Sequence, residues 1–193
     1  MLTVYIDFKE PAAFLALEPT LVLAKRLNLE LAWQAFRCQE RDLPDTGADP
    51  AVVRSHKQAR AGAIRSTHRH YAALKGIDLR FPESNHNADL ALGALAQLRG
   101  DALPFVRRAF AAFWTEHLDL NRREVVEHLV LESGDIGGVE LDAAPAALAE
   151  AQAEAEDLGV VDAPAYVIDG QLFIGRQHFP WIEEIAGRLR AGA

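Results

Sequence analysis

The chain has 193 residues, of which 50% are hydrophobic and 25% are charged, enough apolar side chains for one domain or two small ones. Its formal net charge of −8 argues against non-specific nucleic-acid binding, and no apolar run approaches the ~20 residues of a membrane-spanning helix. The single cysteine, Cys38, excludes an intramolecular disulfide and a four-cysteine zinc site. The N-terminus lacks a secretory pattern. Together, the charge, the short apolar runs, the single cysteine and this N-terminus predict a cytoplasmic protein without a membrane or nucleic-acid partner.

The first 36 residues predict a strand, a helix and a second strand. Residues 2–8 and 29–36 are rich in strand formers and alternate in polarity, whereas residues 12–26 carry apolar side chains at helical spacing. Pro19 lies inside the helical pattern and should kink that helix or delay its start. The order predicts a βαβ unit with a right-handed crossover.

From Cys38 to about Gly138 the sequence predicts only helices. Asp49 and Pro50 suit the start of a helix that runs to Leu74 and carries many basic residues, either as a solvated face or as a basic wall facing the cleft. Residues 84–98 predict a second helix, and the apolar face of residues 105–114 predicts a third. A fourth helix follows, with Asn121 and Glu124 as a capping box and Gly134 as its left-handed end.

The C-terminal part predicts a helix, a hairpin and a final helix. Asp142 should cap an alanine-rich helix that ends before Gly159. Two short β-prone runs, residues 165–168 and 172–174, flank Asp169-Gly170, which is typical of a primed hairpin turn. Pro164 directly precedes the first of these strands, as a strand start or edge allows, and X–Pro bonds adopt the cis isomer readily. Residues 180–190 predict the last helix.

Four segments in this order resemble the DsbA-like thioredoxin superfamily, most closely the branch of 2-hydroxychromene-2-carboxylate isomerases and kappa-class glutathione transferases. They are IDFKEPAAFLA (6–16), RHYAALKGI (69–77) followed by Phe81-Pro82, FAAFWTEH (110–117) and GVVDAPAY (159–166). The resemblance implies an α/β fold in which an all-helical insertion domain, residues 41–139, interrupts a thioredoxin-like βαβ…αββα domain. That domain comprises residues 1–40 and 140–193.

The reactive positions depart from the family pattern. Thiol oxidoreductases of the superfamily carry Cys-x-x-Cys before the first helix, where this chain has Glu10-Pro11-Ala12-Ala13, so disulfide exchange by the usual route is excluded. The isomerase and transferase branch usually has a serine at the first position, which hydrogen-bonds the glutathione sulfur. Glu10 disfavours a thiolate there but suits a general base. The alternative is that Glu10 is only a favourable acidic residue in a first helical turn.

The resemblance also implies a ligand-binding set and a cofactor. Glutathione is the expected cofactor, and we expect no metal, because His68 and His70 lie two residues apart on a helix and cannot easily share an ion. Family members often carry Gly-x-Asp-Arg before the last helix, but here Gln177 supplies no charge, which weakens glutathione binding. The implied substrate- or glutathione-binding residues are Pro11, Ala163, Pro164, Arg176, Gln177 and His178.

Two functions follow from this sequence. The first is a small-molecule isomerase or glutathione transferase, glutathione-dependent or glutathione-derived, with no dithiol redox chemistry. Its substrate would be a compound such as an anionic aromatic or a thiol conjugate, and Glu10 would be its catalytic residue. The alternative is a non-catalytic module that binds a ligand or peptide in the thioredoxin-fold groove. By resemblance we expect a homodimer.

Overall fold

The computed structural model describes residues 1–39, 50–82, 86–134 and 138–192. The chain forms two compact units, one of Met1–Cys38 with Phe81–Ala193 and the other of Gln39–Arg80. The division predicted from the sequence, with an insertion domain at residues 41–139, remains a proposal. The elements in chain order are β1 (Leu2–Ile6), α1 (Pro11–Leu27), β2 (Leu31–Ala35), α2 (Pro50–Leu74), α3 (Asp89–Gln97), α4 (Leu103–Trp114), α5 (Arg123–Glu132), α6 (Ala144–Asp157), β3 (Ala165–Ile168), β4 (Gln171–Ile174), a 3-10 turn (Arg176–His178) and α7 (Phe179–Ala191).

The sheet of the larger unit has the strand order β2-β1-β3-β4. Strand β1 runs parallel to β2, with Leu2 opposite Leu31, and antiparallel to β3, with Tyr5 opposite Ala165. Four of the five β1 side chains are buried, as a central strand covered on both faces requires. The residues that follow β1 and β2 and those that precede β3 therefore meet at one edge of the sheet.

The β3–β4 hairpin has the turn that its sequence predicts. Asp169 and Gly170 both have positive φ, 50° and 70°, the backbone that a type I′ turn requires and that Asp-Gly favours. The two strands pair antiparallel, with Ile168 opposite Gln171. The predicted hairpin is confirmed.

Strand β2 is the outermost strand on the side of the sheet away from β4. The backbone N–H and C=O of Arg37, which follows this strand, are both hydrogen-bonded to a side chain. The Gln152 carboxamide accepts a hydrogen bond from Arg37 N–H at 2.8 Å and donates one to Arg37 C=O at 3.3 Å. Gln152 is 7% exposed on α6. Its amide thus takes the place of a neighbouring strand, which would pair with the same two groups.

Helix α1 begins at Pro11 and continues through Pro19 to Leu27. Pro19 therefore does not delay the start of the helix, one of the two outcomes that its position allowed. Proline at position 19 has no N–H to donate to the carbonyl of Leu15, four residues earlier. That carbonyl instead accepts a hydrogen bond from Arg176 Nη1 at 3.4 Å.

Helices α3 and α6 pack so closely that only glycine fits between them. A Cβ atom on Gly93 would lie 2.2 Å from the backbone oxygen of Ala144. Helix α3 contributes fully buried Ala91 and Leu92 to the core. It begins at Asp89, later than the sequence predicts, because Ala88 has a non-helical backbone with φ −130° and ψ 8°. The predicted start at residue 84 lies outside the described residues.

Two side chains that the sequence predicts as local helix caps have tertiary partners instead. Asn121 Oδ1 accepts a hydrogen bond from Leu90 N–H in α3 at 3.2 Å, and α5 begins at Arg123 with no side-chain cap. Asp142 pairs with Arg123, and α6 begins at Ala144, also uncapped by a side chain. Both predictions are wrong, because an oxygen that can cap its own helix can equally bond a group brought close by the fold.

The second unit contains α2, whose 25 residues include no acidic side chain. The helix ends at Leu74, as predicted, and Gly76 follows with φ 67°. The predicted N-cap, Asp49, lies outside the described residues. Among the described helices, none is long and apolar enough to cross a membrane.

Candidate functional site

Three segments converge at the edge of the sheet where β1 and β2 end and β3 begins. They are residues 7–10 after β1, residues 36–38 after β2 and residues 162–164 before β3. The parallel β1–β2 pairing and the antiparallel β1–β3 pairing bring these segments together. The site is thus built on strand ends of the sheet, where rigid elements position loop side chains.

Asp7 places a fully buried carboxyl at this edge, with 0% exposure. Its Oδ1 accepts a hydrogen bond from Lys9 N–H and its Oδ2 one from Cys38 N–H, both at 2.9 Å. Burial raises the pKa of Asp7, while the two backbone donors and the Lys9 charge oppose that rise. One carboxyl thereby ties the turn after β1 to the end of β2.

Glu10 occupies the N-cap position of α1, with extended backbone angles of φ −82° and ψ 114°. Its side chain makes no capping hydrogen bond, although its backbone N–H donates to Asp7 C=O at 3.1 Å. Burial, followed by the nearby carboxyls of Asp7 and Asp162, raises the pKa of Glu10 to about 7. Lys9 opposes the rise. A carboxyl with such a pKa changes its charge near neutrality, so the catalytic role of Glu10 remains a prediction.

The thiol of Cys38 faces the same carboxyls. Its Sγ lies 3.7 Å from Asp162 Oδ1, which also accepts a hydrogen bond from Ala163 N–H at 2.9 Å. Burial and the charges of Asp7, Glu10 and Asp162 raise the pKa of Cys38. A thiol held in its neutral form is a poor nucleophile, so the surroundings of Cys38 are the opposite of those that activate a cysteine.

Pro164 follows a cis peptide bond at Ala163, and both residues are buried. The Pro164 carbonyl accepts a hydrogen bond from Gly175 N–H at 2.8 Å, which anchors the loop to the end of β4. Pro11 is the first residue of α1, beside Glu10. These three predicted binding residues therefore surround the same sheet edge as Glu10.

The predicted substrate- or glutathione-binding residues of the 3-10 turn have intramolecular partners. Arg176 donates to Leu15 C=O of α1, and Gln177 Nε2 donates to Ile174 C=O at 2.9 Å. The Gln177 side chain folds over Gly175, where an added Cβ would lie 2.2 Å from Gln177 Oε1. The His178 ring lies 5.9 Å from that of Phe173. Their role in ligand binding remains a prediction.

An aromatic cluster supports the turn that carries Glu10. Trp114, 2% exposed, donates its indole N–H to Phe8 C=O at 2.9 Å and stacks on Phe14 with ring centroids 5.9 Å apart. Phe8 itself packs edge-on against Phe110 at 5.1 Å. These side chains are core residues that fix the backbone beside the site.

Sequence reasoning did not include Asp7, Cys38 or Asp162 in the site. Their positions give a weak local signal: Asp7 and Cys38 follow the two parallel strands, and Asp162 precedes the Ala163-Pro164 loop. Strand ends of α/β sheets commonly carry functional side chains. In the described residues, no group of three or more His, Cys, Asp or Glu could hold a metal ion.

Comparison with solved structures shows the same architecture in several enzymes. A 2-hydroxychromene-2-carboxylate isomerase is 19% identical, with a TM-score of 0.70 over 97% of this chain and 95% of that one. A probable DsbA oxidoreductase from Streptomyces coelicolor is 18% identical, with a TM-score of 0.67 over 96% and 88%. The cytosolic disulfide reductase DsbM from Pseudomonas aeruginosa, solved with GSH, is 17% identical, with a TM-score of 0.57 over 99% and 98%.

No curated protein sequence matches the chain. The profile of the DSBA-like thioredoxin domain matches residues 1–185. Together with the structural similarities, this match confirms the predicted thioredoxin-like α/β fold and the sequence resemblance. The chain belongs to the DSBA-like thioredoxin domain family.

Proposed function

We propose that this protein is a small-molecule isomerase or transferase derived from glutathione-dependent enzymes, in which Glu10 moves the proton. The observation that supports the proposal best is Glu10 itself, a carboxyl with a pKa raised to about 7 at the start of α1. By the sequence resemblance, this position holds the reactive residue of the family. The only cysteine in the sequence, Cys38, leaves no dithiol for disulfide exchange.

The proton balance of an isomerisation suits such a group. At neutral pH Glu10 is present in both ionised and protonated forms, so it can take a proton from one substrate atom and return it to another. The Ala163-Pro164 loop and Pro11 lie around it and would hold the substrate. The proposed substrate is a compound such as an anionic aromatic or a thiol conjugate. Its end away from Glu10 would contact Arg176, Gln177 and His178.

The side chains at this edge fit a glutathione thiolate poorly. The carboxyls of Asp7, Glu10 and Asp162 oppose ionisation of the neighbouring Cys38 thiol, and they would oppose a bound thiolate in the same way, because like charges disfavour each other's ionised form. The Ala163 N–H, which an extended peptide could use, donates to Asp162. In this proposal the enzyme is therefore glutathione-derived, and its own binding of glutathione is one of the quantities to be measured.

The second candidate function is a non-catalytic binding module for a small ligand or an extended peptide. The internal hydrogen bonds of Arg176 and Gln177 favour it, because these side chains must release backbone carbonyls before they can hold an anion. The absence of a Cys-x-x-Cys dithiol is also what a binding groove without redox chemistry would show.

Turnover and binding separate the two candidates. Glutathione is titrated by calorimetry, and isomerisation of 2-hydroxychromene-2-carboxylate and glutathione transfer to an electrophilic aromatic compound are assayed. Glu10→Gln should lower turnover by ~10²- to 10⁴-fold, the usual contribution of a general acid or base. Glu150→Gln, an exposed carboxyl on α6, is the matched control and should leave turnover unchanged. Turnover that survives Glu10→Gln contradicts the proposed role, and binding without turnover favours the module.

Location and assembly also belong to the proposal. A single cysteine fits a reducing compartment, so we propose the cytoplasm. The homodimer expected from the resemblance is tested by sedimentation; a monomer at micromolar concentration would contradict it.

A further inference from the structure

Asp7 connects two segments that are far apart in sequence. Its two carboxylate oxygens hold the backbone N–H groups of Lys9, in the turn after β1, and Cys38, after β2. Its own backbone carbonyl accepts the N–H of Glu10 at 3.1 Å. With 0% exposure, the carboxyl has exchanged water for these backbone donors. The backbone around Glu10 is therefore held by the residue three positions before it.

We propose that Asp7 is a positioning residue: its carboxylate, bonded to the Lys9 and Cys38 amides, fixes the turn that carries Glu10 and places an acidic neighbour beside it. The importance of Asp7 for catalysis rests on the proposed function of Glu10. The hydrogen bonds and the titration of these carboxyls can be measured in the ligand-free protein whether or not that function is correct. Asp7 touches no substrate in this assignment and acts only through Glu10.

The two carboxyls differ in their hydrogen-bond partners. Asp7 accepts two backbone N–H bonds, which favour its ionised form, whereas Glu10 has no side-chain capping bond. The charge of Asp7 opposes ionisation of Glu10, and carboxyls that interact in this way titrate as a pair. Burial raises the pKa values of both Asp7 and Glu10.

The other charged groups around the pair act in known directions. Lys9 favours the ionised forms of both carboxyls. Asp162 before β3 opposes ionisation of Glu10, and Asp89 on α3, itself paired with Arg37, opposes that of Asp7. The thiol of Cys38 is neutral and adds no charge. Asp7 is the larger of the two acidic influences on Glu10.

The test is a titration of the Glu10 carboxyl carbon by NMR in the ligand-free protein, assigned through Glu10→Gln. We expect an inflection at about 7 in the wild type and a downward shift of about one unit, a tenfold change in the protonation equilibrium, in Asp7→Asn. The amide hydrogens of Lys9 and Cys38 should also exchange faster in that variant. In the wild type each bonds one carboxylate oxygen of Asp7, whereas asparagine offers a single, uncharged oxygen for both.

Asp162→Asn is the matched control. It removes the other acidic neighbour of Glu10 without touching the acceptors of the Lys9 and Cys38 amides, so it should shift Glu10 less and leave the exchange of both amides unchanged. An Asp7→Asn protein that is folded and titrates Glu10 as the wild type does would overturn the proposal. So would unchanged exchange at Lys9 and Cys38.

If Asp7→Asn does not fold, the wild type alone decides. The amide shifts of Lys9 and Cys38 report the ionisation of Asp7 and should move together with the Glu10 carbon, since the two carboxyls titrate as a pair. A Glu10 inflection below about 5, near that of an ordinary glutamate, refutes the assignment. The expected titrations in a protein without turnover would instead retain the role of Asp7 and refute the proposed function.

Discussion

Arg176 and Pro19 offer a direct test of how α1 tolerates an internal proline. Pro19 cannot donate to the Leu15 carbonyl, and Arg176 Nη1 donates to it from the 3-10 turn before α7. We predict that these two residues are energetically coupled. Arg176→Met removes the donors and keeps an unbranched side chain, and Pro19→Ala restores the helical N–H that would bond the same carbonyl.

The magnitude follows from the geometry. A hydrogen bond from a charged donor contributes ~1.5–3 kcal/mol at ordinary length. The 3.4 Å separation and the partly buried position place this one lower, so we expect a coupling free energy of about 1 kcal/mol. Arg176 also interacts with Tyr166. The double-mutant cycle cancels that contribution, because it is the same in both backgrounds.

The measurement is urea unfolding of the wild type, both single variants and the double variant. Arg176→Met should cost about 1 kcal/mol less in the Pro19→Ala background than in the wild type, because the backbone N–H gained by that substitution then serves the carbonyl. Arg190→Met is the control, since Arg190 Nε donates to Ala186 within α7, and its cost should be equal in both backgrounds. Equal costs for Arg176→Met would refute the coupling.

Three further changes follow from packing, hydrogen bonding and charge. Gly93→Ala should lower the free energy of unfolding by about 2 kcal/mol, since the new Cβ meets the Ala144 carbonyl. Gly62→Ala, in open space on α2, should not destabilise the protein, and thermal melts compare the two variants. Gln152→Leu should cost about 1–3 kcal/mol and speed hydrogen exchange at the Arg37 amide, while the Phe36 amide, bonded to Ile6, stays protected. The raised pKa of Glu10 means that the folded state binds more protons than the unfolded state between the ordinary value of 4.5 and about 7. Stability should therefore fall as pH rises through that window, by a few kcal/mol at most (~1.4 per pKa unit), and urea unfolding of Glu10→Gln should show a flatter profile.

The sequence predicted the elements whose signals are local. Asp169-Gly170 determines its turn because few other residues adopt positive φ twice in succession, and both do so here. Gly134 and Gly159 mark helix ends by the same property, with φ of 85° each. The family followed from segments spread along most of the chain, and the profile match over residues 1–185 confirms it.

The partners of polar side chains were decided by the tertiary structure. Asn121 looks like a cap for α5 and instead bonds Leu90, and Arg176, a predicted binding residue, donates to Leu15, a partner that its sequence position does not indicate. Asp7 joins Lys9 to Cys38, 31 residues away from Asp7 in sequence. Sequence spacing specifies which groups a side chain can reach within a turn or two. Which distant group lies within hydrogen-bond distance depends on how the strands and helices pack. That packing determines the groups that surround Glu10.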